Sequence, residues 1–139
     1  GGLNVRKQVK YLKEYVKNIK HNGTKVSLFI DPEIDQINAA IEVGADAVEL
    51  HTGKYSLLFE RGSYQNELEK IQESAKYCAN NKIVCNAGHG LNFKNVSNIS
   101  KIENISELNV GHFLIAQSLF NGLKETISKF REIINESRF

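Results

Sequence analysis

The chain has 139 residues and a mass of 15.7 kDa, with 41% hydrophobic and 24% charged residues. This composition is typical of one globular domain and excludes a disordered or low-complexity chain. The 18 basic and 16 acidic residues leave a formal charge of +2, which gives no electrostatic indication of a nucleic-acid or anionic-membrane partner. No apolar run approaches the roughly 18–20 residues of a membrane span.

The cysteines and the first residues of the chain indicate the cellular compartment in which we expect the protein. Cys78 and Cys85 are too few for a disulfide scaffold, and they lack the CxxC spacing of zinc or thioredoxin-type sites. The sequence Gly1-Gly2-Leu3-Asn4-Val5 has neither the basic region nor the apolar core of a signal peptide. We therefore expect a reduced protein in the cytoplasm.

The first part of the chain predicts a helix, a strand and a second helix. Residues 4–20 indicate an amphipathic helix, because apolar residues recur there at steps of three and four. The apolar run 26–30 is typical of a strand covered on both faces. Asp31-Pro32-Glu33 then predicts a helix N-cap and first turn. The buried stripe of that helix is expected at Ile34, Ile37 and Ile41.

The strand–helix unit recurs through the rest of the chain. Three further strands are predicted, over residues 45–51, 82–86 and 107–110. Between them we predict a long helix over 62–80 and a short helix within 92–104. One last helix is expected after the fourth strand, with its apolar face at Leu119, Leu123, Ile127, Phe130 and Ile134.

This alternation predicts an α/β fold with parallel strands joined by right-handed crossovers. A complete (β/α)8 barrel takes about 250 residues, so four strands in this chain correspond to about half of one. No Gly/Ser/Pro-rich linker divides the chain, and we expect a single continuous domain. An open, flavodoxin-like sheet is the alternative that length alone permits.

Ligands of α/β proteins bind at the carboxyl ends of parallel strands, so the residues at those ends are the candidates for a site. Glu49 and His51 are two apart on the second strand and face the same side, away from Val48 and Leu50. An ionised carboxylate inside a sheet crevice is costly unless it is paired or functional. Glu49 is thus a candidate catalytic residue, with a salt bridge to a lysine or arginine as the alternative.

The turn after the third strand, 86–91, contains His89 between Gly88 and Gly90. Glycines allow a sharp turn and a close approach to a ligand, and an imidazole can give or take a proton near neutral pH. The alternative is a glycine-rich turn with a structural histidine.

Gly111-His112 follows the fourth strand at a predicted helix start, where backbone N–H groups attract anions. An ordinary helix start is the alternative there. Lys54, Tyr55, Arg61 and Gly62, in the predicted loop after the second strand, are weaker candidates, and Cys85 is expected to be a packed thiol. The histidines lack HxH or HExxH spacing, so no metal site is predicted.

Four segments together resemble one family over essentially the whole chain. They are Val26–Asp31, Glu49–Tyr55, Asn86–Leu91 and Glu107–His112, and they resemble pyridoxine 5′-phosphate synthase in order and spacing. The resemblance implies a (β/α)8 barrel, octamers built from dimers, and no metal or organic cofactor. It also implies condensation of 1-deoxy-D-xylulose 5-phosphate with 3-amino-2-oxopropyl phosphate, which closes the pyridine ring and releases phosphate and water.

The resemblance assigns roles to individual residues of this chain. His89 matches a proton donor and Glu49 a glutamate that stabilises a transition state. Gly90 matches a substrate contact, and Gly111 with His112 a phosphate-binding pair. The family's other bases and several substrate contacts lie in the first half of the barrel, which has no counterpart here.

The expectation is therefore a C-terminal half barrel, residues 1–139, that is inactive alone. A half barrel would also expose sheet edges and part of an apolar inner face. The alternatives are a non-catalytic phosphate-ligand module and a self-pairing α/β module.

Overall fold

The computed structural model describes residues 1–138, in which four parallel strands and seven α-helices alternate. The strands are β1 Ser27–Ile30, β2 Ala47–His51, β3 Val84–Gly88 and β4 Leu108–Asn109. They form one sheet in the order β1-β2-β3-β4, and each neighbouring pair is parallel. A flavodoxin-like sheet reverses its strand order at a switch point. That alternative is wrong, because the order in this sheet is sequential throughout.

The helices follow the predicted alternation, except that one predicted loop is helical and the last predicted helix is divided into two. A 3₁₀ turn, Val5–Gln8, leads into the first helix. The helices are α1 Val9–Lys20, α2 Ile34–Glu42, α3 Gly53–Glu60, α4 Gln65–Asn80, α5 Val96–Ser100, α6 His112–Asn121 and α7 Leu123–Arg138. Helix α3 lies where a loop was predicted. The single last helix was wrong, because Gly122 has a φ of +80° and separates α6 from α7.

The register of the strands shows which side chains share a face of the sheet. Phe29, Glu49 and Asn86 form one row across β1, β2 and β3 and face the same side. Val48 and Leu50 point to the opposite side and are fully buried against the helices. This confirms the predicted orientation of β2, and it places the polar side chains away from the helical layer.

The core lies between the sheet and its covering helices. Its largest fully buried aliphatic side chains include Ile30, Ile37, Leu50, Ile71 and Ile99. Two predicted stripes were partly wrong. In α2 only Ile37 of the three isoleucines is buried, since small alanines form the rest of its contact face. In the last helices Phe130 is buried, whereas Leu119 is 83% exposed.

The side of the sheet beyond β4 is open. Within residues 1–138, α6 has no buried residue, and its Ile115, Leu119 and Phe120 are exposed. At the opposite edge the N–H of Leu3 donates to the carbonyl of Phe29 at 2.7 Å and covers part of β1. The most exposed large apolar side chains, Leu119 and Phe120, therefore lie on α6 and not on the inner face of the sheet, where exposure was expected. Among the described helices, none has the length and apolarity that crossing a membrane would require.

Candidate functional site

A cavity of about 670 Å³ opens at the carboxyl edge of the sheet. Its lining comprises Phe29, Glu49, Glu60, the segment 89–92, the segment 109–113 and Ala116. The site residues predicted from the sequence were Glu49, His89, Gly90, Gly111 and His112, and all of them line this cavity. The structure therefore brings together side chains from three strand ends that lie up to 63 positions apart in the sequence (49 to 112).

Glu49 is held by a side chain of β4, two strands away in the sheet, and not by an ion pair. The side-chain amide of Asn109 donates to its Oε2 at 2.6 Å. No lysine or arginine among the described residues lies within salt-bridge distance of Glu49, so the alternative of a structural salt bridge is wrong for residues 1–138. Gly88 lies beside it, and a Cβ added there would be 2.4 Å from Glu49 Oε1. The glycine leaves the space that the carboxylate occupies.

The backbone of His89 adopts an uncommon conformation. Its φ is +84°, in the left-handed region that costs energy for a residue with a Cβ, and Gly90 follows at +77°. Thr52 lies against this turn: its N–H donates to the Gly88 carbonyl at 2.8 Å, and its hydroxyl lies 2.8 and 2.7 Å from the carbonyls of Gly88 and His89. These contacts hold the turn in the shape that exposes the imidazole in the cavity.

Helix α6 begins at the cavity. Gly111 precedes its first residue, His112, and the first helical hydrogen bond runs from the N–H of Ile115 to the Gly111 carbonyl at 3.0 Å. The N–H groups of the first turn have no partner within the helix, and they carry the positive end of its dipole. A Cβ added to Gly111 would meet no atom within 4 Å, so this glycine borders open space.

Comparison with known proteins identifies the family of the chain. The family model described as "Pyridoxal phosphate biosynthesis protein PdxJ" matches residues 1–136. The chain belongs to this family. Proteins named pyridoxine 5′-phosphate synthase are 49% identical in Sulfurihydrogenibium sp. (strain YO3AOP1) and 47% identical in Prochlorococcus marinus (strain MIT 9515), over 99% and 97% of this chain. A relative of that name in Legionella pneumophila (strain Corby) is 42% identical over 99% of the chain.

The matched region is a part of those relatives. The chain spans 56% of the length of each of the three proteins. In sequence, therefore, this PdxJ-family chain corresponds to somewhat more than half of a curated relative.

The sequence of this PdxJ-family chain predicts Asp31 as a helix cap, and that prediction is wrong. Helix α2 begins at Ile34 after Glu33, and no side chain caps it. Asp31 instead accepts a hydrogen bond from the N–H of Gly2 at 2.9 Å and lies 3.2 Å from Nδ1 of His51. The Gly2 N–H is the main cause that lowers the pKa of Asp31, with His51 contributing. The signal that could have found this pair is their common place at the ends of neighbouring strands.

His51 lies beside His89 at the edge of the site. The ring centroids of the two histidines are 4.8 Å apart, and Phe29 packs edge-on against His51 at 5.1 Å. Burial lowers the pKa of His51, and the nearby His89 lowers it further, whereas Asp31 opposes the shift. His51 is consequently neutral at pH 7.

The weaker candidates do not line this cavity, and two of them have structural partners. Tyr55 is fully buried, its hydroxyl donates to the Asn95 carbonyl at 2.7 Å, and burial raises its pKa to about 12. Lys54 pairs with Glu67 at 2.7 Å. Arg61 is exposed outside the cavity lining, and Cys85 is buried, as predicted. Among residues 1–138 no cluster of three His, Cys, Asp or Glu side chains is arranged to hold a metal ion.

Proposed function

We propose that residues 1–139 form the C-terminal half of a single (β/α)8 barrel. Consecutive strands of such a barrel lie side by side and in order, as β1 to β4 do. Each strand is followed by at least one helix, and the row of Phe29, Glu49 and Asn86 faces away from the helical layer. The fraction of the relatives that the chain spans supports the same division.

The proposed activity is that of a pyridoxine 5′-phosphate synthase. The reaction condenses 1-deoxy-D-xylulose 5-phosphate with 3-amino-2-oxopropyl phosphate, closes the pyridine ring, and releases phosphate and water. Imine formation, elimination and ring closure each need protons to be moved at defined atoms. A PdxJ-family chain with an exposed imidazole and a carboxylate in one cavity has the groups that such steps require.

His89 is the proposed proton donor, because its strained turn presents the imidazole at the cavity. Glu49 is proposed to stabilise positive charge that develops on the amine-derived atoms during condensation. Its carboxylate keeps one strong hydrogen bond, from Asn109, and no competing cation among residues 1–138 neutralises it. The negative charge of Glu49 therefore stays directed at a ligand.

Gly90, Gly111 and His112 are proposed to hold the substrate. A phosphate at the start of α6 would accept hydrogen bonds from first-turn N–H groups and would benefit from the helix dipole. Gly111 leaves open space there, which lets an anion approach the backbone. Fixing the phosphate would keep the reacting carbon atoms near His89 and Glu49 while protons are transferred.

One observation carries the proposal: the five residues predicted from the sequence line a single cavity at the carboxyl edge of the parallel sheet. Alone, the half barrel is expected to be inactive, because the remaining acid–base groups of the family lie in the other half and this cavity is open on that side. Assembly as an octamer of completed chains, which the resemblance implies, and a cytoplasmic location, which the cysteine usage suggests, belong to the same proposal.

The test uses a chimaera in which the missing first part is taken from the Sulfurihydrogenibium relative. Pyridoxine 5′-phosphate formation from the two substrates is expected in the chimaera and not in the 139-residue chain. His89→Asn should lower kcat at least about a hundredfold, within the range of general acid catalysis. The matched control is His21→Asn, at an exposed position after α1. Unchanged turnover of the His89 variant would remove it from the mechanism.

Phosphate binding is tested separately. Gly111→Leu in the chimaera should raise the KM of a phosphorylated substrate about tenfold while the fold is retained, because the new side chain enters open space. An unaltered KM would contradict the proposed phosphate site.

A self-pairing module is the second candidate, favoured by the exposed apolar side chains of α6. Sedimentation of the 139-residue chain distinguishes it: a stable dimer without activity, together with an inactive chimaera, would support pairing over the synthase.

A further inference from the structure

Two side chains beside the cavity have no part in the proposed chemistry. Asp31 directly follows β1 and His51 ends β2, and neither lines the main cavity. Both line a smaller cavity next to it, and the His51 side chain is only 14% exposed. A largely buried histidine is thus paired with a carboxylate and lies near the proposed proton donor.

The hydrogen bonds determine the tautomer of His51. Asp31 is ionised at neutral pH because its pKa is lowered, so its Oδ1 accepts and His51 Nδ1 must carry the proton. Since His51 is neutral, its Nε2 is left without a proton. The orientation of the ring then depends on the carboxylate, as in other histidines whose second nitrogen is held by an acid.

The same ring forms one wall beside His89. A Cβ added at Gly53 would lie 2.7 Å from His51 Nε2 and 2.8 Å from His89 Cδ2, so the edges of both imidazoles converge over this glycine. Phe29 borders both rings, with centroids 5.1 Å from His51 and 6.3 Å from His89. The position of the His89 imidazole is therefore restricted both by the conformation of its own backbone and by the neighbouring His51 ring.

We propose that Asp31 and His51 are a positioning pair: Asp31 sets the tautomer and orientation of His51, and the His51 ring holds the His89 imidazole in its place at the cavity. This inference rests on the proposed function of His89. It assigns a role in turnover to two residues that do not themselves contact the substrate. A neutral His51 also avoids the repulsion that a second cation would exert on a protonated His89.

The tautomer is measured first, by long-range ¹H–¹⁵N spectra of the 139-residue chain labelled at histidine. We expect His51 to be in the Nδ1–H form at pH 7.5 and to lose that preference in Asp31→Asn. Asp35→Asn is the matched control, since Asp35 is an exposed carboxylate that pairs with Arg6. An Nε2–H tautomer of His51 in the unaltered chain would overturn the proposal.

Turnover is measured next, in the chimaera. His51→Asn keeps a donor near Asp31 and removes the ring, and it should lower kcat by about ten- to a hundredfold, the effect of a small misplacement of a catalytic group. Asp31→Asn should lower kcat by up to about tenfold, and Asp35→Asn should not. The KM values should stay within about threefold, because neither residue lines the main cavity. His51→Phe, which restores a ring, should recover part of the kcat.

The outcomes separate the two proposals. Full activity of His89→Asn refutes the proposed function of His89 itself. An inactive His89→Asn together with fully active Asp31 and His51 variants refutes only the positioning pair. A loss confined to KM would also refute it, because that result would show a binding role. Asp31→Asn alters a half-buried carboxylate and leaves the ring packing in place, so it gives an answer even where a His51 variant fails to fold.

Discussion

Gly88→Ala tests whether the site needs the close approach of β2, β3 and β4. The added Cβ would be 2.4 Å from Glu49 Oε1 and 2.7 Å from the backbone carbonyl of Asn109, whereas ordinary contact begins at 3.4 Å. The carboxylate must therefore retreat by about 1 Å, as the difference between those distances requires. The carbonyl has less freedom, because it belongs to the backbone of β4.

Both stability and turnover should respond. Overpacking of this kind costs about 1–3 kcal/mol, of which the reduced entropy of the unfolded alanine chain offsets about 0.4–1 kcal/mol. We expect a net loss of about 1–2 kcal/mol in the free energy of unfolding. The displaced Glu49 would also lose its 2.6 Å hydrogen bond from Asn109, and kcat should fall by up to about a hundredfold.

Urea denaturation of the 139-residue chain gives the free energy of unfolding, and steady-state kinetics of the chimaera gives kcat. For the free energy of unfolding the matched control is Gly111→Ala, because a Cβ there meets no atom within 4 Å and φ is an ordinary −119°. Its unfolding free energy should be unchanged or higher. If Gly88→Ala were as stable and as active as the unaltered protein, the close packing of Gly88 against Glu49 would be wrong.

Three further predictions concern single contacts. Tyr55→Phe removes the hydroxyl that donates to the Asn95 carbonyl and accepts from the Asn98 side-chain amide, and it should lower the free energy of unfolding by about 1–3 kcal/mol in urea denaturation. Thr52→Val removes the hydroxyl that binds the turn at His89, so it should lower both the free energy of unfolding and kcat, whereas Thr52→Ser keeps a hydroxyl and should retain both. Equal behaviour of the two variants would contradict this prediction. The hydrogen bond from Lys20 of α1 is the main cause that lowers the pKa of Asp46, so the contribution of Asp46 to stability is present above about pH 4 and is lost as the pH falls below it. In Asp46→Asn, the free energy of unfolding should therefore depend less on pH in the acid range, as followed by circular dichroism.

Periodicity and local chemistry were sufficient for the order of elements. The apolar runs 26–30 and 45–51 correspond to β1 and β2, and the helical spacing of 4–20 corresponds to the 3₁₀ turn and α1. Where the pattern was weaker the prediction was wrong, as for the loop that is α3 and for the break at Gly122. A glycine inside an apolar helical pattern does not by itself show whether the backbone continues or turns.

The candidate site was predictable to the extent that it depends on strand ends. Parallel strands carry their carboxyl ends to one edge, so Glu49, His89 and Gly111 could be expected to lie near each other from the sequence alone. The role of Asp31 could not, because helix-cap chemistry and strand-end chemistry use the same residue type in the same position of the chain. Only its hydrogen bond from Gly2 and its distance to His51 distinguish the two.

The sequence by itself determined the alternation of strands and helices and the face on which Glu49 lies, since these depend on near neighbours and on the two-residue period of a strand. Tertiary structure alone decided that Asn109 binds Glu49 across 60 positions, that Gly88 makes room for that carboxylate, and which apolar residues of the last helices are buried. Those features depend on distances between segments remote in the chain, and a local pattern contains no information about such distances.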